Sequence, residues 1–318
     1  MNREKILFFG TSNFATAALG ELIRKKFNMI GVITTPDRPA GRGLQLKESD
    51  VKIFAKEKNL NIYQPENIND IEFINKIRLI KPDLIIVIAF KKLPKLIWEI
   101  PKYGTFNLHA SILPEYRGAA PINWAIINGE KETGLTTFFI NENIDHGDVL
   151  YQEKVLINLD DNFKTLHDKL MEISKDLTIK TIESVFNKTI KAKKQIKKNE
   201  LKKAPKIFKK DTYINWKMDT LKIYNFIRGM SPYPGARTKI KIKKNEFDLI
   251  ITDVSSYSSL NKSNNDKFIF KLIEKNLFLI NKNGSFKINK LKISGKKEMN
   301  GLEFNNGFIK NINDYQFF

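Results

Sequence analysis

The run Asp83-Leu-Ile-Ile-Val-Ile-Ala89, set off by Pro82, constrains the fold more than any other stretch. It is apolar nearly throughout, so it has no wet face of the kind an alternating antiparallel strand presents, and it needs cover on both sides. It is expected as the central strand of a parallel sheet with helices on either face. The start of the chain agrees. Lys5-Ile-Leu-Phe-Phe-Gly10 reads as a strand and Thr11-Ser-Asn13 as a turn; the apolar positions Phe14, Ala18, Leu22 and Ile23 then mark a helix, and Met29 to Thr34 a second strand. This is a βαβ opening. Gly10 suits the sharp turn of a dinucleotide-type fold, but the spaced-glycine fingerprint does not follow, so the fold is supported and a nucleotide is not.

Between Thr34 and Gly43 the chain reads Thr-Thr-Pro-Asp-Arg-Pro-Ala-Gly-Arg-Gly, with neither helical nor strand periodicity. A loop is expected, carrying Arg38 and Arg42 at the edge where α/β folds place ligand loops; a solvated turn is the alternative. Asp50–Lys58 and Glu72–Ile80 read as helices, with a short strand at Asn61–Tyr63. A turn containing Pro94 and Pro101 leads to a strand at Thr105–His109. An irregular loop at Ser111–Pro121, a helix at Ile122–Asn128 and a strand at Gly134–Ile140 follow. A turn at Asp145–Asp148 feeds a strand at Val149–Val155, and the apolar spacing from Phe163 describes a long amphipathic helix to about Asn187.

Residues 188–210 change character: after Lys188, ten lysines, Lys191, Lys193, Lys194, Lys197, Lys198, Lys202, Lys203, Lys206, Lys209 and Lys210, face Glu200 alone. They read as a linker or basic ribbon. Beyond it, a helix is expected at Thr220–Arg228 with Asp219 as its cap, broken by Ser231-Pro-Tyr-Pro-Gly235. Short strands at Thr238–Lys243, Phe247–Val254, Phe268–Ile273, Leu277–Ile280 and Phe286–Ile293 suggest a small barrel. At 318 residues the chain has room for two cores. The expected division is 1–187, a basic linker at 188–210, and 211–318.

The net charge of +20 admits an anionic macromolecular partner, although a general drift toward Lys, Asn and Ile would produce the same excess. With no cysteine, disulfides and thiolate chemistry are excluded, and a reducing, cytoplasmic setting is expected. No stretch approaches the ~20 apolar residues of a membrane helix, and the first strand is too short for a signal-peptide core.

Chemistry concentrates at residues 104–148. Asn107 and His109, two apart on a strand, project from one face. Asn107 offers an amide donor, and His109 a proton acceptor or, when charged, a donor. Together they can hold an oxyanion. Asp145 can orient the imidazole or take a proton from an attacking amine. No serine sits in a nucleophile elbow, so the attacking group belongs to the substrate. A structural histidine beside an asparagine is the competing reading. His146 in the turn is expected to be solvated and His167 on the long helix to lie at the surface or its boundary, and no recognisable metal-ligand spacing is present.

Asn-Leu-His109, Ser111-Ile-Leu-Pro-Glu-Tyr-Arg-Gly-Ala-Ala-Pro121 and Asp145-His-Gly-Asp148 together resemble the signature of the methionyl-tRNA formyltransferase family, in order and in approximate spacing. The likeness extends through Phe9-Gly-Thr11, Pro36–Gly43, Pro232-Tyr-Pro-Gly235 and Gly295-Lys-Lys…Met299, which is essentially the whole chain. It implies an α/β, Rossmann-like formyltransferase domain followed by a small OB-like β-barrel. It also implies transfer of a formyl group from 10-formyltetrahydrofolate to the amino group of methionyl initiator tRNA, without a metal.

Carried over by position, the resemblance implies catalysis by Asn107, His109 and Asp145. It implies folate contacts from Ser111, Ile112, Leu113, Pro114, Tyr116, Arg117 and Gly118, and tRNA contacts from Arg38, Arg42, Lys206, Lys209 and Lys210, in a monomer. Ser12 and Asn13, Lys91 and Asn143 depart from the family pattern; the last two stand where relatives usually have glycine, and Asn tolerates the positive φ a glycine would supply. The alternatives are a folate-dependent formyltransferase acting on glycinamide ribonucleotide or an amino sugar, and a catalytically silent tRNA-binding relative.

Overall fold

The computed structural model describes residues 3–40, 45–196, 200–309 and 315–317. The chain gathers into two compact units: 1–118, 134–155 and 168–202 form one, and 119–133, 156–167 and 203–318 the other. The division is not a single cut, because two short internal stretches group with the C-terminal unit.

In the first unit β1 (Ile6–Gly10), α1 (Asn13–Arg24) and β2 (Met29–Ile33) form the expected βαβ opening. The segment read as a loop is instead a short antiparallel ribbon, β3 (Arg38–Ala40) with β4 (Gln45–Lys47), pairing Arg38 with Lys47 and Pro39 with Leu46. Its proline hid it, because a residue without an N–H argues against a strand except in an edge ribbon such as this one. Helix α2 (Asp50–Glu57) is capped by Ser49, whose Oγ accepts from Lys52 N at 3.1 Å. β5 (Ile62–Tyr63) and α3 (Ile71–Ile80) follow, then β6 (Leu84–Ile88), buried at every residue. A one-turn helix α4 (Lys95–Trp98) stands where only a turn was expected. β7 (Thr105–His109), β8 (Arg117–Gly118), α5 (Pro121–Ile127), β9 (Glu132–Phe139), β10 (Val149–Leu156) and α6 (Phe163–Phe186) follow along the chain, α5 and the first residues of α6 grouping with the second unit.

The seven-stranded sheet runs β10-β9-β7-β6-β1-β2-β5. β5, β2, β1, β6 and β7 are parallel neighbours, and β9 runs antiparallel to β7. As expected, β6 lies at the middle. Leu7, Phe9, Ile85 and Val87 pack with Phe73, Ile74 and Ile77 of α3, while Ile6, Phe8, Ile86 and Ile88, pointing the other way, are fully buried too. Each such side chain contributes about 1.5–3 kcal/mol of transfer free energy. The winding direction reverses between β1 and β6, which puts a crevice at the carboxyl ends of the central strands. β7, beside β6, ends at that edge.

The second unit contains β11 (Lys203–Ala204), a 3-10 turn at Lys209–Thr212, α7 (Thr220–Met230), β12 (Ala236–Ile242), β13 (Asn245–Ser258), β14 (Ile269–Ile273), β15 (Asn276–Asn281), β16 (Gly284–Ile293), β17 (Met299–Asn300), α8 (Gly301–Phe304) and β18 (Tyr315–Phe317). All five expected strands are present. They form an antiparallel sheet in the order β14-β15-β16-β13-β12-β18. The two ends of that order meet: Phe270 on β14 packs against Tyr315 and Phe317 on β18, with ring centroids 5.3 and 5.2 Å away, and its N–H donates to Tyr315 Oη at 2.6 Å. Side chains thereby close the curl of an OB-like sheet. Asp219 occupies the N-cap position of α7 but makes no capping hydrogen bond.

Residues 156–167 belong here because of Arg228, a buried side chain on α7. It donates from Nη1 to Asp161 O at 2.7 Å and Asn158 O at 3.3 Å, and from Nε to Asn225 Oδ1 at 2.9 Å. Burial pushes its pKa down, and Asp160 and Asp161 are among the groups that oppose the shift. Among the described residues, no helix is long and apolar enough to cross a membrane.

Candidate active site

β7 sets the site. Asn107 lies beside Val87 of β6 and Phe138 of β9, and His109 beside Thr136, so the two functional side chains leave one face of a strand flanked on both edges. Asn107 is half-buried, and its Oδ1 is a buried acceptor with no hydrogen-bond partner. Buried polar atoms nearly always find partners. A buried acceptor left open near the carboxyl edge of a parallel sheet suits completion by a donor group of a bound substrate.

His109 is 7% exposed. Its Nε2 lies 2.9 Å from the carbonyl oxygen of Tyr116, an acceptor, so Nε2 carries a proton and Nδ1 is the nitrogen available for chemistry. Nδ1 stands 3.8 Å from Asp145 Oδ2. That is an electrostatic approach and not a hydrogen bond. Asp145 Oδ2 accepts from Gly118 N at 2.9 Å, so the carboxylate is fixed by backbone while its edge faces the imidazole.

The turn that presents Asp145 is tightly determined. Ile140 N donates to Thr105 O at 2.8 Å and Phe139 N to Asp148 O at 2.9 Å, pinning both ends against the sheet. Asp145 itself has φ 58, in the left-handed region that Asp tolerates better than most residues. Gly147 packs so closely that an added Cβ would stand 1.5 Å from Phe139 O. Neither Asn143 nor Lys91 has positive φ, so neither position requires the conformational freedom of a glycine.

The Ser111–Gly118 loop is more scaffold than open surface. Ser111 Oγ donates to Glu115 O at 2.6 Å, Thr136 Oγ1 donates to Ser111 O at 2.6 Å, and Leu113 N donates to Thr136 Oγ1 at 3.1 Å. Leu113 and Tyr116 are buried; Ile112, Pro114, Arg117 and Gly118 are half-buried. The Leu113–Pro114 peptide is cis, and Tyr116 has φ 59. Arg117 donates from Nε to Asp145 O at 2.9 Å and from Nη2 to Gln195 Oε1 at 2.5 Å. Burial lowers its pKa and the Asp145 charge opposes the shift. The pairing of Nε2 with Tyr116 O, the Gly118 N–H on the carboxylate and the part of Gln195 were not foreseen, since each depends on backbone geometry that no side-chain pattern encodes.

Of the residues expected to meet tRNA, Arg38 is exposed on β3, and Lys206, Lys209 and Lys210 are exposed in the second unit. Arg42, Lys197 and Lys198 lie outside the described residues. The ribbon that carries Arg38 has a charged root. Lys52 on α2 pairs with Asp37, just before β3, and at 2.9 Å with Glu48, just after β4. Gln64 Nε2 adds a hydrogen bond to Asp37 Oδ1 at 2.8 Å. These contacts hold Asp37 and Glu48 below the usual carboxylate range, chiefly through hydrogen bonds from Lys52 and Lys56 respectively, and raise Lys52, chiefly through Asp37. His146 is exposed, with Nδ1 at 2.6 Å from Ile144 O. His167 is half-buried and tilted against Phe163 at 5.7 Å.

Residues 4–182 match the formyl transferase family and residues 206–309 match the formyl transferase C-terminal domain. A methionyl-tRNA formyltransferase of Flavobacterium johnsoniae is 40% identical over 307 residues, covering 96% of this chain and 97% of the relative. One from Bacteroides thetaiotaomicron is 48% identical over 239 residues, 74% of each chain. The chain belongs to the methionyl-tRNA formyltransferase family. Among solved structures, an N-formyltransferase from Helicobacter canadensis, in complex with folinic acid and dTDP-3-aminofucose, aligns with a TM-score of 0.64 at 20% identity, covering 90% of this chain and 98% of that one. HypX from Aquifex aeolicus, in complex with tetrahydrofolic acid, aligns with a TM-score of 0.66 at 18% identity; the match covers 96% of this chain and 48% of HypX. At such identities the likeness is one of fold.

Proposed function

We propose that the chain moves the formyl group of 10-formyltetrahydrofolate onto the amino group of methionyl initiator tRNA, with Asn107, His109 and Asp145 as the catalytic residues. The convergence of these three side chains at the carboxyl edge of β7, with the imidazole Nδ1 3.8 Å from the carboxylate, carries the reading. The uncharged amine attacks the formyl carbon. A new C–N bond forms, the carbonyl oxygen gathers negative charge, and the bond to the folate nitrogen then breaks. The side-chain amide of Asn107 and the Nδ1–H of protonated His109 stabilise that oxygen. Asp145 accepts the proton that the amine sheds, and the departing folate nitrogen takes one up, so protons balance across the transfer.

Two contacts support this assignment. Tyr116 O holds Nε2 and thereby commits Nδ1 to the substrate side. Gly118 N holds Asp145 Oδ2 ready without neutralising it. The half-buried Ile112, Pro114, Arg117 and Gly118 and the buried Ser111, Leu113 and Tyr116 form the folate wall, the first group by surface and the second by setting the loop. Arg38 and Arg42 on the 36–43 segment meet the acceptor end of the tRNA. Lys206, Lys209 and Lys210 follow its phosphates, giving affinity that depends on salt more than on sequence. The stretch 188–210 serves as the connection between a formyltransferase domain at 1–187 and a tRNA-binding domain at 211–318, in a cytoplasmic monomer.

A competition assay tests the substrate assignment. Labelled formyl donor is offered with charged initiator tRNA, charged elongator tRNA and glycinamide ribonucleotide. Label on the initiator alone is the expected outcome, and label on the ribonucleotide would redirect the reading to a small-molecule formyltransferase.

A further inference from the structure

We infer that Gln195 is a positioning residue for Asp145, acting through a clasp with Arg117 and touching neither substrate. The inference rests on the proposed catalytic role of Asp145. Gln195 lies inside the lysine-rich stretch whose composition points outward to phosphate, yet its side chain points inward. Its Nε2 donates to Asp145 O at 2.9 Å and to Gly147 O at 2.8 Å. Its Oε1 accepts from Arg117 Nη2 at 2.5 Å and Nε at 3.2 Å. Both amide hydrogens and the amide oxygen are therefore engaged. The orientation of the amide follows from its neighbours, since the reverse would set an oxygen against two carbonyls and an NH2 against a guanidinium.

The clasp converges on one atom. Asp145 O receives Gln195 Nε2 and, at 2.9 Å, Arg117 Nε. Its residue holds φ 58, a conformation that a non-glycine residue keeps only where its surroundings over-determine it. Arg117 thus directs its donors to backbone and amide oxygens of the turn, and the carboxylate keeps Gly118 N and its approach to His109. Gln195 is delivered by a local pairing: Val149 N donates to Lys193 O at 2.7 Å and Lys193 N to Val149 O at 2.8 Å, which lays the chain beside the start of β10 two residues earlier. No other side chain of this length both donates to two carbonyls and accepts from a guanidinium. Glutamate would oppose the carbonyls, and lysine could not accept.

If the clasp loosens, the Asp145 peptide is free to turn and the carboxylate leaves its place by a fraction of an ångström to an ångström. A displacement of that size costs up to about a hundredfold in rate without a change in binding. The test uses the full chain, 10-formyltetrahydrofolate and methionyl initiator tRNA, and compares Gln195→Ala, Gln195→Glu, Asp145→Asn and the double variant Asp145→Asn/Gln195→Ala. Gln195→Ala should lower kcat by about ten- to a hundredfold, with KM for both substrates within about twofold. Gln195→Glu keeps the volume of the side chain and should fail to restore kcat, which separates lost donors from lost packing.

In the Asp145→Asn background the alanine change should cost less than about twofold, because coupled residues are not additive. Full additivity would overturn the inference, as would a Gln195→Ala kcat at the wild-type level or a loss confined to KM for tRNA. The two layers fail differently. Near-normal turnover by Asp145→Asn alone would remove the catalytic reading itself, whereas a crippled Asp145→Asn with additive Gln195 changes removes only the positioning role.

Discussion

The turn at Asp145 and the ribbon of β3 and β4 both sit on the first unit, and they are held in place by opposite means. The turn is fixed by neutral and charge-assisted hydrogen bonds from buried or half-buried groups: Gly118 N on the carboxylate, Arg117 and Gln195 on the carbonyl, and the backbone of Phe139 and Ile140 on its ends. The ribbon is fixed at its root by ion pairs of Lys52 with Asp37 and Glu48. Buried hydrogen-bond networks are worth most when fully satisfied and tolerate little displacement. Ion pairs near solvent contribute less and yield to salt and pH. On the proposed assignment, the reacting carboxylate has the first kind of support, and the segment that would meet a large, irregular polyanion has the second.

The contrast between turn and ribbon breaks most sharply at its catalytic end. On the proposed assignment Asn107→Ala removes an oxyanion donor and should lower kcat by about a hundred- to a thousandfold while donor binding, measured by titration, stays near wild type. Near-normal turnover would sink the assignment. Gly147→Ala comes next, because its Cβ would fall 1.5 Å from Phe139 O and the turn must shift to admit it. A decrease of about 1–3 kcal/mol in denaturant unfolding is expected together with reduced kcat, and retention of both would mean the turn is softer than its hydrogen bonds imply.

Lys52→Met, at the root of the ribbon, should act more gently: about a two- to fivefold rise in KM for tRNA with kcat held, and an effect on kcat alone would refute the division. Charge reversal at Lys206, Lys209 and Lys210 should reduce the slope of log affinity against log salt by about one for each tRNA phosphate that is no longer neutralised. An unchanged slope would return these lysines to a solvated surface.

The supports also separate by pH. Asp37 and Glu48 have folded-state pKa values below their ordinary ones, so their contribution is present above the ordinary carboxylate pKa and is lost as pH falls through the lowered values. Lys52 is raised, so its contribution is complete below its ordinary value and is lost only as pH rises through the raised one. The root is therefore whole across the neutral range and fails first in acid. Amide exchange, normalised to intrinsic rates, should show protection of β3 and β4 falling with acidification before that of β7; equal loss in both would place the ion pairs outside the root's stability.

Much of the framework was legible. Continuous apolar residues at 84–88 and the βαβ opening placed the sheet centre, because cover on both faces leaves a pattern that local sequence records. Short β-rich runs separated by Gly and Asn turns located the five strands of the second unit. The 38–40 strand was hidden by Pro39, and the one-turn helix at 95–98 by the prolines around it. Among site residues, Asn107 and His109 were readable as a pair, since alternation on a strand fixes their common face. Arg117 was readable only as part of a loop, and Gln195 not at all.

The sequence alone determined which groups are present for the chemistry and the strand that aims two of them, because side-chain identity and strand period are local properties. Tertiary structure decided the rest. It chose Nδ1 over Nε2 through the carbonyl of Tyr116, set Asp145 3.8 Å from that nitrogen, and turned a glutamine from a lysine-rich stretch inward onto the carboxylate's own backbone. Those choices depend on hydrogen bonds between residues as many as 78 positions apart, and no local pattern encodes where a carbonyl will point.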